Sequence, residues 1–245
     1  MGLLATARFC DTVVKDRQLR ALNPLGLPEI AFVGRSNAGK SSCINLICGR
    51  RRLAFASRTP GRTQALNVFA VGPADGPLGF LVDSPGYGFA AASQSAKLAW
   101  QALAGDYIRN RGPLAAVVLM IDIRRELTAL DRQLVQWVPA TTPLIVVLTK
   151  SDKLGRQQMV QARRHVEADP LLVQRTGASV VILFSTIARR GIDALQDAIE
   201  AVIRGGSPLP SCPPPSLAPS CLPPSDVAAG VASARPPSPH ATRSP

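Results

Sequence analysis

Apolar residues fall along this chain in two alternating rhythms: short unbroken runs, and longer stretches in which they recur with the period of a helix. The runs predict strands at 29–33, 65–71, 79–83, 115–121, 144–149 and 179–184, because continuous Val, Ile and Leu mark strands covered on both faces. The periodic stretches predict helices at 39–49, 94–109, 128–138, 156–168 and 191–203. Strand and helix taking turns in this way implies an α/β fold, a mostly parallel six-stranded sheet with helices on both faces. The turn Pro73-Ala74-Asp75-Gly76-Pro77 interrupts the alternation, and the strands it joins are expected to form an antiparallel hairpin. Ahead of the first strand lie a short amphipathic segment, Thr6 to Lys15, and a turn at Asn23-Pro24; residues 1–27 read as an extension packing on the domain 28–204. After Arg204 the pattern stops. Residues 205–245 hold twelve of the 22 prolines, with Ser and Ala, and offer no face to bury; a disordered tail is expected.

Charge changes the picture more than bulk composition does. The net charge is +12, and the tail adds only Arg235 and Arg243 against Asp226, so the basic character belongs to residues 1–204. A polyanionic partner is implied, nucleic acid or a ribonucleoprotein surface, with a solvated basic surface as the alternative. The five cysteines (Cys10, Cys43, Cys48, Cys212, Cys221) show no C-x-x-C spacing, and only His165 and His240 could join them, which argues against zinc. An odd cysteine count without a signal peptide points to a reducing, cytoplasmic setting. The apolar run from Leu114 to Ile123 is broken by Asp122 and is too short to span a membrane.

Five short stretches carry the chemistry. Gly34-Arg35-Ser36-Asn37-Ala38-Gly39-Lys40-Ser41 fits G-x-x-x-x-G-K-[ST], between the strand Glu29 to Val33 and the helix opening at Ser42. In that arrangement backbone N–H groups wrap nucleotide phosphates, the lysine neutralises β/γ oxygens, the serine hydroxyl binds Mg²⁺ and the helix dipole faces the anion. Asp83-Ser84-Pro85-Gly86 follows a strand; the carboxylate can hold a Mg²⁺-bound water and Gly86 can bring its N–H to a γ-phosphate. Thr149-Lys150-Ser151-Asp152 matches the purine-reading [N/T]-K-x-D, in which the carboxylate accepts from guanine N1–H and the 2-amino group. Adenine offers neither donor, so a buried carboxylate would penalise it. Ser185-Thr186, after the strand ending at Phe184, stands where a loop N–H can meet guanine O6. Between the first helix and the next strand, Thr59-Pro60-Gly61-Arg62-Thr63-Gln64 offers Thr63 as a second hydroxyl for Mg²⁺, or else an ordinary turn at Pro60-Gly61. Of only five lysines, Lys40, Lys150 and Lys153 fall in these motifs, where a compact ammonium and a guanidinium are not interchangeable.

G-R-S-N-A-G-K-S-S, T-P-G-R-T-Q, D-S-P-G-Y-G and T-K-S-D-K, in this order, resemble the EngB family of bacterial GTPases, within the TrmE-Era-EngA-EngB-Septin-like superfamily. The segment Ile121 to Thr128 and Ile182-Leu183-Phe184-Ser185 resemble it as well, so the likeness covers about residues 6–204. It implies a Ras-like fold, Mg²⁺-dependent GTP binding and hydrolysis, a role in assembly of the large ribosomal subunit, and an association with cell division and septation. Carried onto this chain, it makes Gly34 to Ser41 the phosphate cradle and Ser41, Thr63 and Asp83 the Mg²⁺ site. Gly61, Arg62, Thr63, Gln64 and Ala65 become the first switch and Asp83, Ser84, Pro85 and Gly86 the second. Thr149, Lys150, Ser151, Asp152, Ser185 and Thr186 read guanine; Lys40, Thr63 and Gly86 serve hydrolysis. The chain departs from the family at Cys43 and Ser84, usually Leu, and at Phe89, usually Tyr. Tyr87 stands where Ras-like enzymes carry the glutamine that orients water, so slow intrinsic turnover is expected. Asn37 suggests K⁺ as an extra charge between the phosphates, or simply a turn residue. The expected partners are GTP and the large ribosomal subunit or its precursor, engaged by a monomer; the alternative is a nucleotide-gated scaffold of the division machinery with incidental hydrolysis.

Overall fold

The structure, a computed structural model, describes residues 2–14, 16–54, 65–87 and 103–208. A short 3₁₀ turn at Leu3–Thr6 leads into β1 (Arg8–Val13), α1 (Asp16–Leu22), β2 (Glu29–Gly34) and α2 (Lys40–Ile47). Then come β3 (Leu66–Val71), β4 (Gly79–Asp83), a helical stretch α3 (residues 103–110) and β5 (Leu114–Asp122). The chain continues with α4 (Ala129–Trp137), β6 (Leu144–Thr149), α5 (Arg156–Glu167), α6 (Pro170–Val173), β7 (Ser179–Leu183) and α7 (Ile192–Ile203). All described residues belong to one unit, Met1–Cys212. The expected tail from residue 209 and the expected helix over 94–102 lie outside the described residues.

The strands form one sheet in the order β1-β3-β4-β2-β5-β6-β7. Strands β4, β2, β5, β6 and β7 run parallel, and β3 is antiparallel to β4, as the short Pro73–Pro77 turn requires. Among the described residues the sheet has seven strands rather than the six expected. Part of the N-terminal extension supplies the seventh: β1 pairs antiparallel with β3, with a bulge between Phe9 and Asp11.

Every residue of β2 and β6 is buried, as unbroken apolar runs demand of central strands. Because alternate side chains point to opposite faces, Ile30 and Phe32 enter one core while Ala31 and Val33 enter the other. The first core is closed by Ile44 and Ile47 of α2 and Leu195 and Ile199 of α7. The second is closed by Leu19 of α1, Tyr107 and Ile108 of α3, Leu134 and Val135 of α4 and Val166 of α5.

Two polar devices fix this frame. At the start of β2 the Glu29 carboxylate is fully buried; it accepts from Asn23 Nδ2 (2.7 Å), Tyr107 Oη (3.0 Å) and Arg111 Nη2 (2.7 Å). It thereby ties the turn after α1 and the chain after α3 to the base of the sheet. At the opposite edge, Thr128 caps α4 in a capping box: Asp131 N donates to Thr128 Oγ1, while Thr128 N donates to Asp131 Oδ2 at 2.8 Å. The carboxyl ends of β2, β4, β5, β6 and β7 open on this second edge, where open parallel sheets place their ligand sites.

Candidate functional site

The phosphate-cradle sequence occupies the turn between β2 and α2. Gly39 reaches a φ of 97°, a left-handed conformation that favours glycine, and so turns the chain into the first residue of α2, Lys40. Lys40 is buried, and its Nζ donates to the Gly34 carbonyl at 3.2 Å. Burial pulls its pKa down, opposed by the nearby Asp83 carboxylate. Ser41 Oγ donates to Asp83 Oδ2 at 3.0 Å, whereas Asp83 Oδ1 is buried with no hydrogen-bond partner among the described residues. Burial raises the Asp83 pKa, and Lys40 and Ser41 work against that rise. An ammonium, a hydroxyl and a carboxylate with one unused oxygen thus meet at a helix N-terminus. Hard divalent cations take oxygen ligands, so this donor set fits Mg²⁺, and the unused Asp83 oxygen is the observation that says so. Asn37 takes a φ of 62°, a left-handed conformation that asparagine tolerates.

The loop after β4 lies directly on this cradle. A Cβ at Gly86 would stand 2.7 Å from Ser36 Cα and 3.2 Å from Lys40 Nζ, so only glycine fits the approach. Ser84 is buried, and both its N–H and its hydroxyl donate to the Phe32 carbonyl, which satisfies the polar residue standing where the family usually has leucine. Cys43 is fully buried in the first core, and burial pushes its thiol well above the usual range, so it acts there as an apolar side chain. Tyr87 is the revealing residue of this loop. Ser36 N donates to its carbonyl at 2.9 Å, its own N donates to the Gly34 carbonyl at 3.3 Å, and its buried hydroxyl donates to Asp131. The side chain therefore points into the fold and not toward the cradle.

The residues expected to read the base sit at the ends of β6 and β7. Thr149 is buried and its Oγ1 donates to the Ile121 carbonyl at 3.0 Å, which locks β6 to β5. Ser151, fully buried, donates its N–H to the Phe184 carbonyl at 3.1 Å and so joins this turn to the end of β7. Asp152 Oδ1 accepts from Ser185 Oγ at 2.6 Å, a bond that holds its carboxyl below its ordinary pKa. The Ser185 N–H is engaged by the Arg190 carbonyl at 3.1 Å, so Ser185 contributes its hydroxyl, while Thr186 lies exposed in the turn that follows. The sequence suggests a backbone contact at Ser185; the hydroxyl clamp on Asp152 joins residues 33 apart and has no local signal.

Asp122, at the end of β5, was also outside the proposed site. Its carboxylate pairs with Lys150 Nζ at 3.0 Å and with Arg124 Nη2 at 2.7 Å, so it steers the lysine of the base-reading motif. Arg124, then Lys150, holds the Asp122 carboxyl well below the usual range. A depressed folded pKa means stabilisation that is present above the ordinary value of 3.8 and lost as pH falls through the folded value. The melting-temperature difference between the protein and an Asp122→Asn variant is therefore expected in full at neutral pH and to shrink below about pH 4. A difference that stays constant down the acid series would remove Asp122 from this role.

Gly61, Arg62, Thr63 and Gln64 of the expected first switch, and Phe89, lie outside the described residues. Ala65 is buried immediately before β3. The cavity beside the cradle, about 350 Å³, is lined by Arg35, Ser36, Asn37 and Ala38 on one side and by Asp122, Arg124 and Lys150 among others.

A phosphate cradle between a parallel strand and a helix, a D-x-x-G loop resting on it and a carboxylate held at the end of the next strands define the class: a P-loop GTPase of Ras-like fold. Residues 29–150 match the family model of a 50S ribosome-binding GTPase. The chain is 47% identical over 206 residues to the probable GTP-binding protein EngB of Burkholderia ambifaria strain MC40-6, covering 82% of this chain and 93% of that one. It is 46% identical over 223 residues to the protein of that name from Ralstonia nicotianae, covering 88% and 92%. Among solved structures, one of a probable GTP-binding protein EngB superposes with a TM-score of 0.53 at 21% identity, over 72% of this chain and 99% of that one. A structure of Era with MgGDPNP and nucleotides 1506–1542 of 16S ribosomal RNA gives 0.54 at 22% identity, over 77% and 58%. The chain belongs to the EngB family of GTP-binding proteins and is a GTPase. Its ligand is a guanine nucleotide.

Proposed function

We propose that this GTPase is a molecular switch in assembly of the large ribosomal subunit, and through it is needed for normal cell division and septation. The observation that carries the reading is a guanine-nucleotide site on a chain of net charge +12, a pairing that suits a nucleotide-timed encounter with RNA. The matched family model, which describes a 50S ribosome-binding GTPase, supports the large subunit, and the Era structure, which holds 16S RNA, supports only contact with ribosomal RNA. Arg50, Arg51 and Arg52, all exposed after α2, are candidates for the phosphate contacts. We assign the working protein to the cytoplasm as a monomer; no described helix is long and apolar enough to cross a membrane.

In the proposed mechanism the backbone of Gly34 to Ser41 wraps the phosphates and Lys40 offsets their charge. Ser41, Asp83 and Thr63 would hold Mg²⁺, which when bound supplies positive charge to the β- and γ-phosphate oxygens. Gly86, close to Lys40, brings its N–H to the γ-phosphate, and Gly61 to Ala65 and Asp83 to Gly86 respond to its loss. Asp152, clamped by Ser185, reads guanine, with Lys150 along the base. Since Tyr87 turns inward, no side chain at that position orients the attacking water, and intrinsic hydrolysis is slow until a partner contributes. If K⁺ assists at Asn37, turnover in K⁺ exceeds that in Na⁺; equal rates assign Asn37 to the turn alone.

Co-sedimentation with large ribosomal subunits and their precursors, in a non-hydrolysable GTP analogue or GDP across a salt series, tests the reading. Binding that needs the analogue and weakens steeply with salt is expected. Pelleting that ignores the nucleotide, or no pelleting in either state, overturns it.

A further inference from the structure

Tyr87 is held at both ends. Its main chain continues the sheet for one residue: Arg35 and Tyr87 form a parallel bridge, closed by bonds from Ser36 N to Tyr87 O and from Tyr87 N to Gly34 O. Its side chain belongs to the second core and ends on Asp131, itself almost fully buried. The other oxygen of that carboxylate accepts from Thr128 N at 2.8 Å and Thr128 Oγ1 at 2.6 Å, so Asp131 cannot swing away without uncapping α4. Burial first, and Asp131 second, raise the phenol pKa far above neutrality, so the hydroxyl is always a donor here. A free-standing turn after Gly86 would need none of this. The residue fixed so firmly is the immediate neighbour of the glycine whose missing side chain leaves room for Ser36 and Lys40.

We infer that Tyr87 is a positioning residue for the γ-phosphate: its hydroxyl, anchored on Asp131 and so on the cap of α4, holds Gly86 against the phosphate cradle. The inference rests on the reading of Gly86 as a γ-phosphate contact. It separates two functions of one position. The tyrosine gives up the water-orienting task of a glutamine and instead presets the distance between the loop and the cradle before any nucleotide arrives. GDP lacks the γ-phosphate and gains nothing from this preset geometry; GTP does.

The test compares Tyr87→Phe, Asp131→Asn, the double variant and Gly86→Ala in the full chain, with GDP and a non-hydrolysable GTP analogue titrated separately. Tyr87→Phe keeps the ring in the core and removes one hydrogen bond to a buried carboxylate. It is expected to leave GDP affinity within about twofold and to weaken the analogue about tenfold, with kcat falling in parallel. Asp131→Asn is expected to do the same, and the double variant to be no worse than the poorer single one, because both remove the same link. Retained GDP binding certifies that each variant folds. Equal losses for GDP and analogue, no loss for either, or additive effects in the double variant overturn the inference. If Gly86→Ala lowers the analogue-to-GDP preference and Tyr87→Phe does not, this inference alone fails. If Gly86→Ala leaves the preference unchanged, the underlying reading of Gly86 fails with it.

Discussion

Asp152→Asn is expected to lower affinity for GDP and GTP by about a hundredfold or more and to admit xanthine nucleotides in their place. The carboxylate can accept both from N1–H and from the 2-amino group of guanine. An amide keeps one acceptor but sets its own N–H₂ against the guanine amino group, so two donors face each other without a partner. Xanthine carries a carbonyl at that carbon, and the amide can donate to it. The geometry favours a clean exchange of preference, since Asp152 is held by Ser185 Oγ at 2.6 Å and an asparagine oxygen can accept the same bond. Fluorescence titration with guanine and xanthine nucleotides measures it. Unchanged GDP affinity would remove Asp152 from the base site.

At the far end of β2, Glu29→Ala is expected to cost about 3–5 kcal/mol of folding stability, which lowers the melting temperature by about 10 °C in a domain of this size. The carboxylate is fully buried and Arg111 is nearly so, at 6% side-chain exposure. Removing the acid strands a guanidinium in the interior, leaves the Tyr107 hydroxyl without its acceptor and takes one of two acceptors from the Asn23 amide, which keeps the Leu27 carbonyl. The damage should stay away from the cradle, because Glu29 begins the strand that Gly34 ends. A thermal melt with and without GDP separates the two: the transition falls while the shift produced by GDP persists. A loss below about 1 kcal/mol would mean that the network is solvated more than its burial indicates.

How much of this is legible in the sequence depends on how local the cause is. The strands of the central sheet are legible because Ile30 to Val33 and Leu144 to Leu148 need no partner to declare themselves buried. Strand β1 is not. It is an edge strand with four of its six residues exposed, and the bulge between Phe9 and Asp11 breaks the two-residue alternation by which a strand is recognised. The short α1 and α6 offer too few turns to show a period. The phosphate cradle and the base-reading motif are legible since each is contiguous. The clamp of Ser185 on Asp152, the grip of Asp122 on Lys150 and the inward turn of Tyr87 are tertiary events between distant positions, and no spacing rule encodes them. Tyr87 shows the limit well: its place in the motif marks what it is not, and its contact with Asp131 is visible only in the structure.

Strand β2 has a paired strand on either side and a core on each face. Its amides can reach solvent only when the whole sheet opens, so they belong among the last in the chain to exchange with deuterium. The cradle is the direct continuation of that strand. Nucleotide can therefore leave and return without the strand opening, and the empty protein waits with its candidate phosphate turn already rooted in the best-protected strand of the sheet.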